Sequence, residues 1–265
     1  MSEPMEHRVS PELVAALLAI QPLTERLQAA IVPRPGSLAA RDGGPRVGRH
    51  ALELAIAALA LGVEHLEAWR LLAFEAHVLP PFVYLTLLRA GIEGAVLARW
   101  LLEPGITRDA RRSRGLGAQW ADYDDRRKFE QQIGAGLART GKRAVERIRD
   151  LEEKAKKLRL PITKVPTKTR LCELYAMPLL PPQVRSTLGG ELYRMLSGTP
   201  HGRQWSLPAI AEWELLEGLP PRVQIARLTI DEAKAAALTT IVVRAIQTAL
   251  ADLEAYTVAP AAAMP

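Results

Sequence analysis

Apolar residues recur at helical spacing along most of the chain. Between about Arg49 and Val78 the apolar positions advance by alternating steps of four and three residues, as on the packed face of a helix. These positions are Leu52, Ile56, Leu59, Val63, Leu66 and Trp69. Leu79-Pro80-Pro81 ends this helix, and an almost wholly apolar helix follows over about Phe82 to Leu102. Because the connection is short, the two helices are predicted to pack antiparallel.

The N-terminal segment carries a clear helix start. Ser10 stands at a favourable N-cap position, Pro11 at the first helical position and Glu12 in the first turn. This helix is expected to bend or restart at Pro22. The segment from Val32 to Gly48 is rich in glycine and proline, which predicts a surface connection.

The C-terminal part of the chain alternates helices with less regular segments. Short helices are predicted over about Leu171 to Met177 and from Pro181 to Leu196. One short helix is expected around Ile210 to Leu216, and the alternation of apolar and polar residues from Arg222 to Thr229 predicts an extended segment. Asp231 is the predicted N-cap of a long final helix.

Charge is unevenly distributed along the sequence. The whole chain has 35 Lys and Arg against 29 Asp and Glu, a formal charge of +6. Between Thr107 and Arg170 there are 19 basic and 9 acidic residues, a surplus of ten, so the remainder carries a net charge of minus four. Within this basic segment a narrow apolar stripe predicts a helix with one buried edge over Gly141 to Leu160, in which Glu152 and Lys156 stand at i,i+4 spacing. The stripe consists of Val145, Ile148, Leu151, Ala155 and Leu158.

Together these patterns predict an all-α protein, a helical bundle of long antiparallel helices with a projecting basic helical insertion. The predicted organisation is N-terminal bundle helices over 1–106, a basic helical insertion or arm over 107–170, C-terminal bundle helices over 171–256 and a flexible tail over 257–265. The longest stretch without Asp, Glu, Lys, Arg or His, Leu13 to Thr24, is shorter than the roughly 18 apolar residues of a membrane-spanning helix. A single cysteine, Cys172, excludes a disulfide framework. We therefore expect a cytoplasmic protein without a membrane partner, and a buried Cys172 thiol.

Three motifs of known chemistry are incomplete in this chain. Residues 136–142 match the first half of a phosphate-binding loop, but Arg143 follows Lys142 where the magnesium-binding hydroxyl would stand. His65 and Glu67 match the start of a zinc deaminase motif that needs two further cysteines, and the chain has only one. The acidic run at 122–125 is followed at once by basic residues, which is typical of a solvated face. No metal site and no cofactor are predicted.

Two pairs of charged residues remain as candidates. Arg89 and Glu93 lie four residues apart on one face of the apolar helix, where burial without a partner would cost several kcal/mol. Arg194 is placed on the last turn of a helix, and His201 follows after six residues. A guanidinium can hold a phosphate by a fork of donors, and an imidazole exchanges protons near neutral pH.

This R-x6-H spacing at a helix end, after a helix with R-x-x-x-E, resembles the HEPN-like helical superfamily. The phrase from Tyr193 to His201 is also similar to uncharacterised bacterial proteins near that group. The resemblance implies a metal-independent endoribonuclease of a bacterial toxin or defence system, commonly a homodimer with a shared site. It assigns Arg194 as the phosphate clamp and His201 as the acid/base, with Arg89 and Glu93 in support.

Other interpretations of the same residues remain open. Arg194 could neutralise its helix end, His201 could cap a turn, and the Arg89–Glu93 pair could fix packing. The protein could instead be a non-catalytic scaffold that binds RNA or proteins, with the apolar stripe as a dimer seam. In a nucleic-acid-binding role, Trp120 and Tyr123 could either stack on bases or pack internally. The cations predicted to contact nucleic acid are Arg126, Arg127, Lys128, Lys142 and Arg143.

Overall fold

The computed structural model describes residues 9–42, 49–133, 143–198, 201, 211–215 and 226–258. Within these residues the chain is almost entirely helical, with a single pair of short strands. The predicted all-α helical bundle is confirmed. The first helices are α1 (Pro11–Leu18), α2 (Leu23–Ala30), α3 (Leu38–Asp42), α4 (Arg49–Phe74) and α5 (Val83–Leu101). They are followed by α6 (Arg108–Ile133), α7 (Ala144–Leu158), α8 (Lys168–Tyr175), α9 (Pro182–Gly198), β1 (Ala211–Leu215), β2 (Ala226–Ile230) and α10 (Glu232–Thr257).

Side-chain caps start the helices at both ends of the chain. Ser10 accepts a hydrogen bond on its Oγ from the backbone N–H of Leu13, 3.3 Å away, and so caps α1. Asp231 does the same for α10 by accepting from the N–H of Lys234 over 3.0 Å. Both N-caps were predicted from the sequence, as was the restart after Pro22.

The chain forms two compact units. Unit 1 comprises Met1–Arg26, Leu59–Val96 and Lys168–Thr248, and unit 2 comprises Leu27–Ala58, Leu97–Thr167 and Ala249–Pro265. The division falls within α2, α4, α5 and α10, so each of these helices contributes residues to both units.

In unit 1, α4 and α5 pack antiparallel, as predicted. The rings of Trp69 and Tyr84 lie 5.3 Å apart, and further along the pair Gly62 of α4 faces Gly91 of α5. A Cβ at Gly62 would lie 3.2 Å from the carbonyl oxygen of Gly91, so the two backbones approach closely because neither residue has a side chain. The buried Trp69 also donates from its indole nitrogen to Thr239 over 3.1 Å.

The two strands of unit 1 form an antiparallel ladder. Ala211 pairs with Ile230 and Leu215 with Ala226. The short helix predicted around Ile210 to Leu216 is therefore wrong, because this segment satisfies its backbone groups by pairing with a strand distant in sequence. The expectation of extended chain before Asp231 is confirmed for β2.

In unit 2, α6 and α7 form a helical pair with a small apolar core. Leu116 of α6 packs with Leu151 and Ala155 of α7, and Trp120 and Tyr123 pack against this cluster. The predicted α7 helix with one buried edge is confirmed over Ala144–Leu158, although residues 134–142 lie outside the described part of the chain. Ile148, Leu151 and Ala155 of the apolar stripe are thus buried, whereas Val145 and Leu158 at its two ends are 51% and 42% exposed.

Most described residues of the connection predicted at the surface between Val32 and Gly48 are exposed, as expected, but three of them are buried. Ser37 is fully buried and Asp42, at the end of the short helix α3, is 6% exposed. The buried carboxylate of Asp42 is neutralised inside unit 2 by Arg111, which donates to it over 2.7 Å. Glycine and proline content alone does not reveal such a partner.

Among the described helices, α10 is long and apolar enough to cross a membrane by length and composition. More than half of its most apolar window, 56%, is buried within the protein. A helix packed in a protein core has the same composition, so this property does not by itself indicate a membrane.

Candidate functional site

Arg89 and Glu93 form the ion pair expected from their spacing on α5. The Nε of Arg89 donates to Oε1 of Glu93 over 2.8 Å, and the two side chains are 24% and 23% exposed. The pair therefore lies at the margin of the core of unit 1, where each partner reduces the cost of desolvating the other.

Two further side chains converge on Glu93. The hydroxyl of Tyr193 on α9 donates to Oε1 over 3.1 Å, and the Nζ of Lys168 on α8 lies 3.4 Å from Oε2. Arg89 also donates to the Tyr193 hydroxyl over 3.4 Å. Burial raises the pKa of Tyr193, so its hydroxyl keeps the proton that it donates. The Glu93 cluster, comprising Arg89, Glu93, Lys168 and Tyr193, thus links three helices of unit 1.

Cys172 lies on α8 and is fully buried, as predicted. Burial raises the pKa of its thiol to about 12, and the negative charge of Glu93 acts in the same direction. The thiol stays protonated at neutral pH, which is the behaviour of a packing residue rather than a nucleophile.

Arg194 projects away from the Glu93 cluster although it directly follows Tyr193. Its side chain is 56% exposed, and Nη1 lies 2.7 Å from the exposed carboxylate of Glu191. His201 is an exposed residue in a turn beyond the end of α9. No hydrogen bond or ion pair between described residues joins Arg194 to His201 or to the Arg89–Glu93 pair. Their joint action stays a prediction.

The predicted nucleic-acid contacts on α6 have carboxylate partners one helical turn away. Arg126 donates to Glu130 over 2.8 Å, and Arg127 lies 2.6 Å from Asp124. Lys128 contacts the carboxylates of both Asp124 and Asp125, at 2.9 and 3.1 Å. The pKa of Asp124 is lowered by its hydrogen bonds to Lys128 and Arg127. The acidic and basic residues of this run therefore neutralise one another on a solvated face.

The remaining two predicted contacts precede or begin α7. Arg143 is its exposed N-cap, and the backbone N–H of Arg143 donates to the carboxylate of Glu146 over 2.9 Å. Lys142 lies outside the described residues.

Sequence reasoning missed a different group of cations at the other end of α7. Lys156 and Lys157 in its last turn and Arg159 at its C-cap are exposed, and no carboxylate of the described residues forms an ion pair with them. We call these three residues the basic turn. Glu152, which stands four residues before Lys156, instead accepts from the indole nitrogen of Trp120 over 3.0 Å. This cross-helix bond, which no local pattern reveals, leaves Lys156 without the predicted partner.

A polar cavity of about 380 Å³ opens near the middle of the same helical pair. The imidazole of His50 lies there, 3.4 Å from the Nζ of Lys154, and Arg147 lies over the ring of Tyr123 at 5.8 Å. Burial and the charge of Lys154 lower the pKa of His50 from 6.5, so its ring is neutral at physiological pH. Within the described part of the chain, no group of three or more His, Cys, Asp or Glu residues is placed to hold a metal ion.

Comparison with protein-family models, with curated proteins and with solved structures gives no match for this chain.

Proposed function

We propose that the protein binds RNA through the basic turn at the C-terminal end of α7. The observation that carries this proposal is the exposure of Lys156, Lys157 and Arg159 without a carboxylate partner among the described residues. These cations belong to the segment with the local surplus of ten positive charges. Unpaired surface cations bind phosphates by releasing counterions, whereas cations already paired with carboxylates gain less.

The proposed interaction is with the RNA backbone rather than the bases. Trp120 and Tyr123 pack against the apolar cluster of this helical pair, so their rings are engaged within the protein, whereas the third aromatic residue of the pair, Phe129 of α6, is 51% exposed. Stacking of bases on aromatic rings tolerates any base and gives only modest preferences in single-strand binding, and phosphate contacts carry no sequence information. We therefore expect binding with weak sequence preference and strong dependence on salt.

The test compares two triple variants that remove the same number of positive charges. One changes the basic turn by Lys156→Gln, Lys157→Gln and Arg159→Gln, and the other changes Arg126, Arg127 and Lys128 to Gln. Affinity for a fluorescent single-stranded RNA is measured by anisotropy over a series of salt concentrations. Each phosphate contact contributes about 0.7 to the slope of log affinity against log salt. The basic-turn variant is expected to lower that slope by about 2, and the α6 variant to change it much less.

The matched α6 variant controls for the general loss of positive charge. Equal changes of the salt slope in the two variants would show that only overall charge matters. A larger change for the variant of Arg126, Arg127 and Lys128 would mean that RNA contacts α6 instead. Wild-type affinity that does not change with salt would overturn RNA binding by phosphate contacts. Thermal unfolding of both variants excludes loss of folding, because Lys156 and Lys157 also stabilise the C-terminal end of α7.

The second candidate function is metal-independent RNA cleavage by a HEPN-like site at Arg194 and His201. The observation that favours it is that both side chains are exposed close to the end of α9, where they are accessible to a substrate. In this proposal Arg194 holds the scissile phosphate, and His201 takes the proton of the ribose 2′-hydroxyl as it attacks the phosphorus. The bond from phosphorus to the 5′-oxygen breaks, which leaves a 2′,3′-cyclic phosphate, and the leaving 5′-oxygen takes up a proton from water. A homodimer that shares the site would belong to the same proposal.

Cleavage is tested on mixed single-stranded RNA in the presence of EDTA. The wild-type protein is compared with Arg194→Ala, His201→Ala and the control Glu191→Ala, which removes only the partner of Arg194. Loss of cleavage in the first two variants with retention in the third supports the site. Cleavage that persists in His201→Ala, or its absence in folded wild-type protein, rejects this candidate without affecting the test of binding.

A further inference from the structure

An apolar cavity of about 240 Å³ lies within unit 1, beside the segment that joins α8 to α9. This segment, from Ala176 to Leu180, forms one wall, Leu188 of α9 contributes a second, and Ile241 and Arg244 of α10 complete it. Leu179 is 77% exposed and Leu188 is 44% exposed, so apolar surface at the cavity is in contact with water. Replacing water by an apolar group at a concave apolar surface of this kind lowers the free energy.

Among the described residues, Arg244 is the only charged residue at this cavity, and its aliphatic stem belongs to an almost wholly apolar lining. It lies on an exposed position of α10, and no described residue forms an ion pair with its guanidinium. A guanidinium with no carboxylate partner provides a fork of donors that matches the geometry of a carboxylate. The cavity therefore combines a wall for an apolar group with one positive group for an anion.

We infer that this cavity binds a small amphipathic monocarboxylate, with the alkyl chain against the leucine-rich wall and the carboxylate at Arg244. Two features determine this ligand class. The volume of 240 Å³ is below the roughly 300 to 1,000 Å³ that is usual for larger organic ligands, so the ligand is small. The single cation at an otherwise apolar surface complements one negative charge, whereas a nucleotide or a polyphosphate would need several cations.

The ligand class makes a quantitative prediction about chain length. Each methylene that enters the cavity contributes about 0.8 kcal/mol, which is about a fourfold gain in affinity. Affinity is expected to rise by this factor from butanoate to hexanoate per added methylene, and to level off once the chain is longer than the cavity. A nonspecific surfactant effect would continue to rise with chain length and would not saturate at one ligand per protein.

The experiment is isothermal titration of the full chain with straight-chain carboxylates below their self-association range, and with 1-hexanol as the neutral counterpart. Arg244→Gln is expected to weaken hexanoate binding about tenfold and to leave 1-hexanol binding unchanged. Arg244→Lys keeps the positive charge but lacks the paired N–H donors of the guanidinium. Its affinity for hexanoate is expected to lie between those of the wild type and Arg244→Gln. Lys234→Gln on the same helix removes an exposed positive charge that does not line the cavity and serves as the control.

Two outcomes would overturn the inference. Equal loss of hexanoate binding in Arg244→Gln and Lys234→Gln would mean that net charge, rather than the cavity, attracts the anion. Absence of saturable binding to every carboxylate and to 1-hexanol would reject a small-ligand site. If sedimentation then showed concentration-dependent self-association that Leu188→Glu abolishes, the apolar surface would be a contact between copies of this chain.

Discussion

Arg111 and Asp42 form a buried ion pair in unit 2, with Nη1 of the arginine 2.7 Å from Oδ2 of the aspartate. Their side chains are only 7% and 8% exposed. Tyr256 donates its hydroxyl to the same Oδ2 over 2.8 Å, and its ring lies 4.7 Å from the guanidinium of Arg111. Burial raises the pKa of Tyr256, with the hydrogen bond to Asp42 acting in the same direction, so the hydroxyl remains protonated. The network connects α3, α6 and α10 through one carboxylate.

The first prediction concerns the removal of this carboxylate. Asp42→Ala is expected to lower the free energy of unfolding by about 3–5 kcal/mol, because it leaves Arg111 buried without its anion. In the double variant Asp42→Ala with Arg111→Met, the free energy of unfolding should fall by less than the sum of the two single decreases, because neither charge then remains buried without its partner. Urea denaturation of the four proteins in the cycle measures both effects. Additive losses would mean that the pair contributes no coupling energy.

The second prediction uses two adjacent glycines of α9. A Cβ at Gly189 would lie 2.3 Å from the backbone carbonyl oxygen of Cys172 on α8. At Gly190 the nearest atoms belong to the Glu173 side chain, at 3.3 Å or more. Gly189→Ala is therefore expected to destabilise the protein by about 1–3 kcal/mol, because the two backbones must separate.

Gly190→Ala serves as the control for helix propensity, which favours alanine over glycine by about 1 kcal/mol at both positions. Because the Glu173 side chain can rotate, Gly190→Ala is expected to be neutral within about 1 kcal/mol. Thermal unfolding and urea denaturation compare the two proteins. A similar change in stability for both variants would refute the assigned close approach of α8 and α9.

The third prediction is the pH dependence that His50 contributes. Burial and the charge of Lys154 hold the pKa of His50 below 6.5 in the folded protein, while the unfolded chain has the ordinary value. Between these two pKa values the unfolded state binds more protons, so stability decreases as the pH falls through this window. His50→Gln removes this contribution.

The expected result is that the stability of the wild type, relative to His50→Gln, decreases as the pH is lowered from about 8 to about 5. Denaturation at several pH values measures the difference. Lys154→Met should raise the pKa of His50 in an NMR titration, because one of the two causes of its depression is removed. A difference between wild type and His50→Gln that does not vary with pH would contradict the assigned protonation state.

The fourth prediction separates packing from function around α9. Glu93→Ala is expected to lower the free energy of unfolding by about 2 kcal/mol, because it removes the carboxylate shared by Arg89, Lys168 and Tyr193. Arg194→Ala should change stability by no more than about 0.5 kcal/mol, since both members of its ion pair with Glu191 are exposed. Unfolding measurements check both values. If Arg194→Ala unfolds the protein, a loss of RNA cleavage in that variant says nothing about a phosphate clamp.

Local patterns predicted the features that depend on local physics. The Ser10 and Asp231 caps, the restart after Pro22 and the buried edge of α7 follow from side chains within a turn or two of one another. The Arg89–Glu93 pair was expected for the same reason. β1, which pairs with β2, was predicted wrongly as a helix, and the burial of Asp42 against Arg111 of α6 was not predicted, because both depend on partners distant in sequence.

The charge pattern identified the basic region of the chain, but not which cations have no carboxylate partner among the residues that the structure describes. Arg126, Arg127 and Lys128 are consecutive cations, yet each forms an ion pair with a carboxylate one helical turn away. Lys156 was expected to pair with Glu152, which accepts from Trp120 on the other helix. Which cations remain available to an anion depends on these hydrogen bonds and ion pairs between side chains. Some of these bonds, such as the one between Trp120 and Glu152, form only when α6 and α7 pack together.

Glu130 joins the facing ends of α6 and α7 directly. Its carboxylate accepts from Arg126 of its own helix and, over 3.1 Å, from the first backbone N–H of α7 at Ala144. The return of the chain from one helix to the other is thus held by contacts outside residues 134–142. The first turn of α7 is therefore fixed to the last turns of α6 by a side chain that lies outside the connection itself.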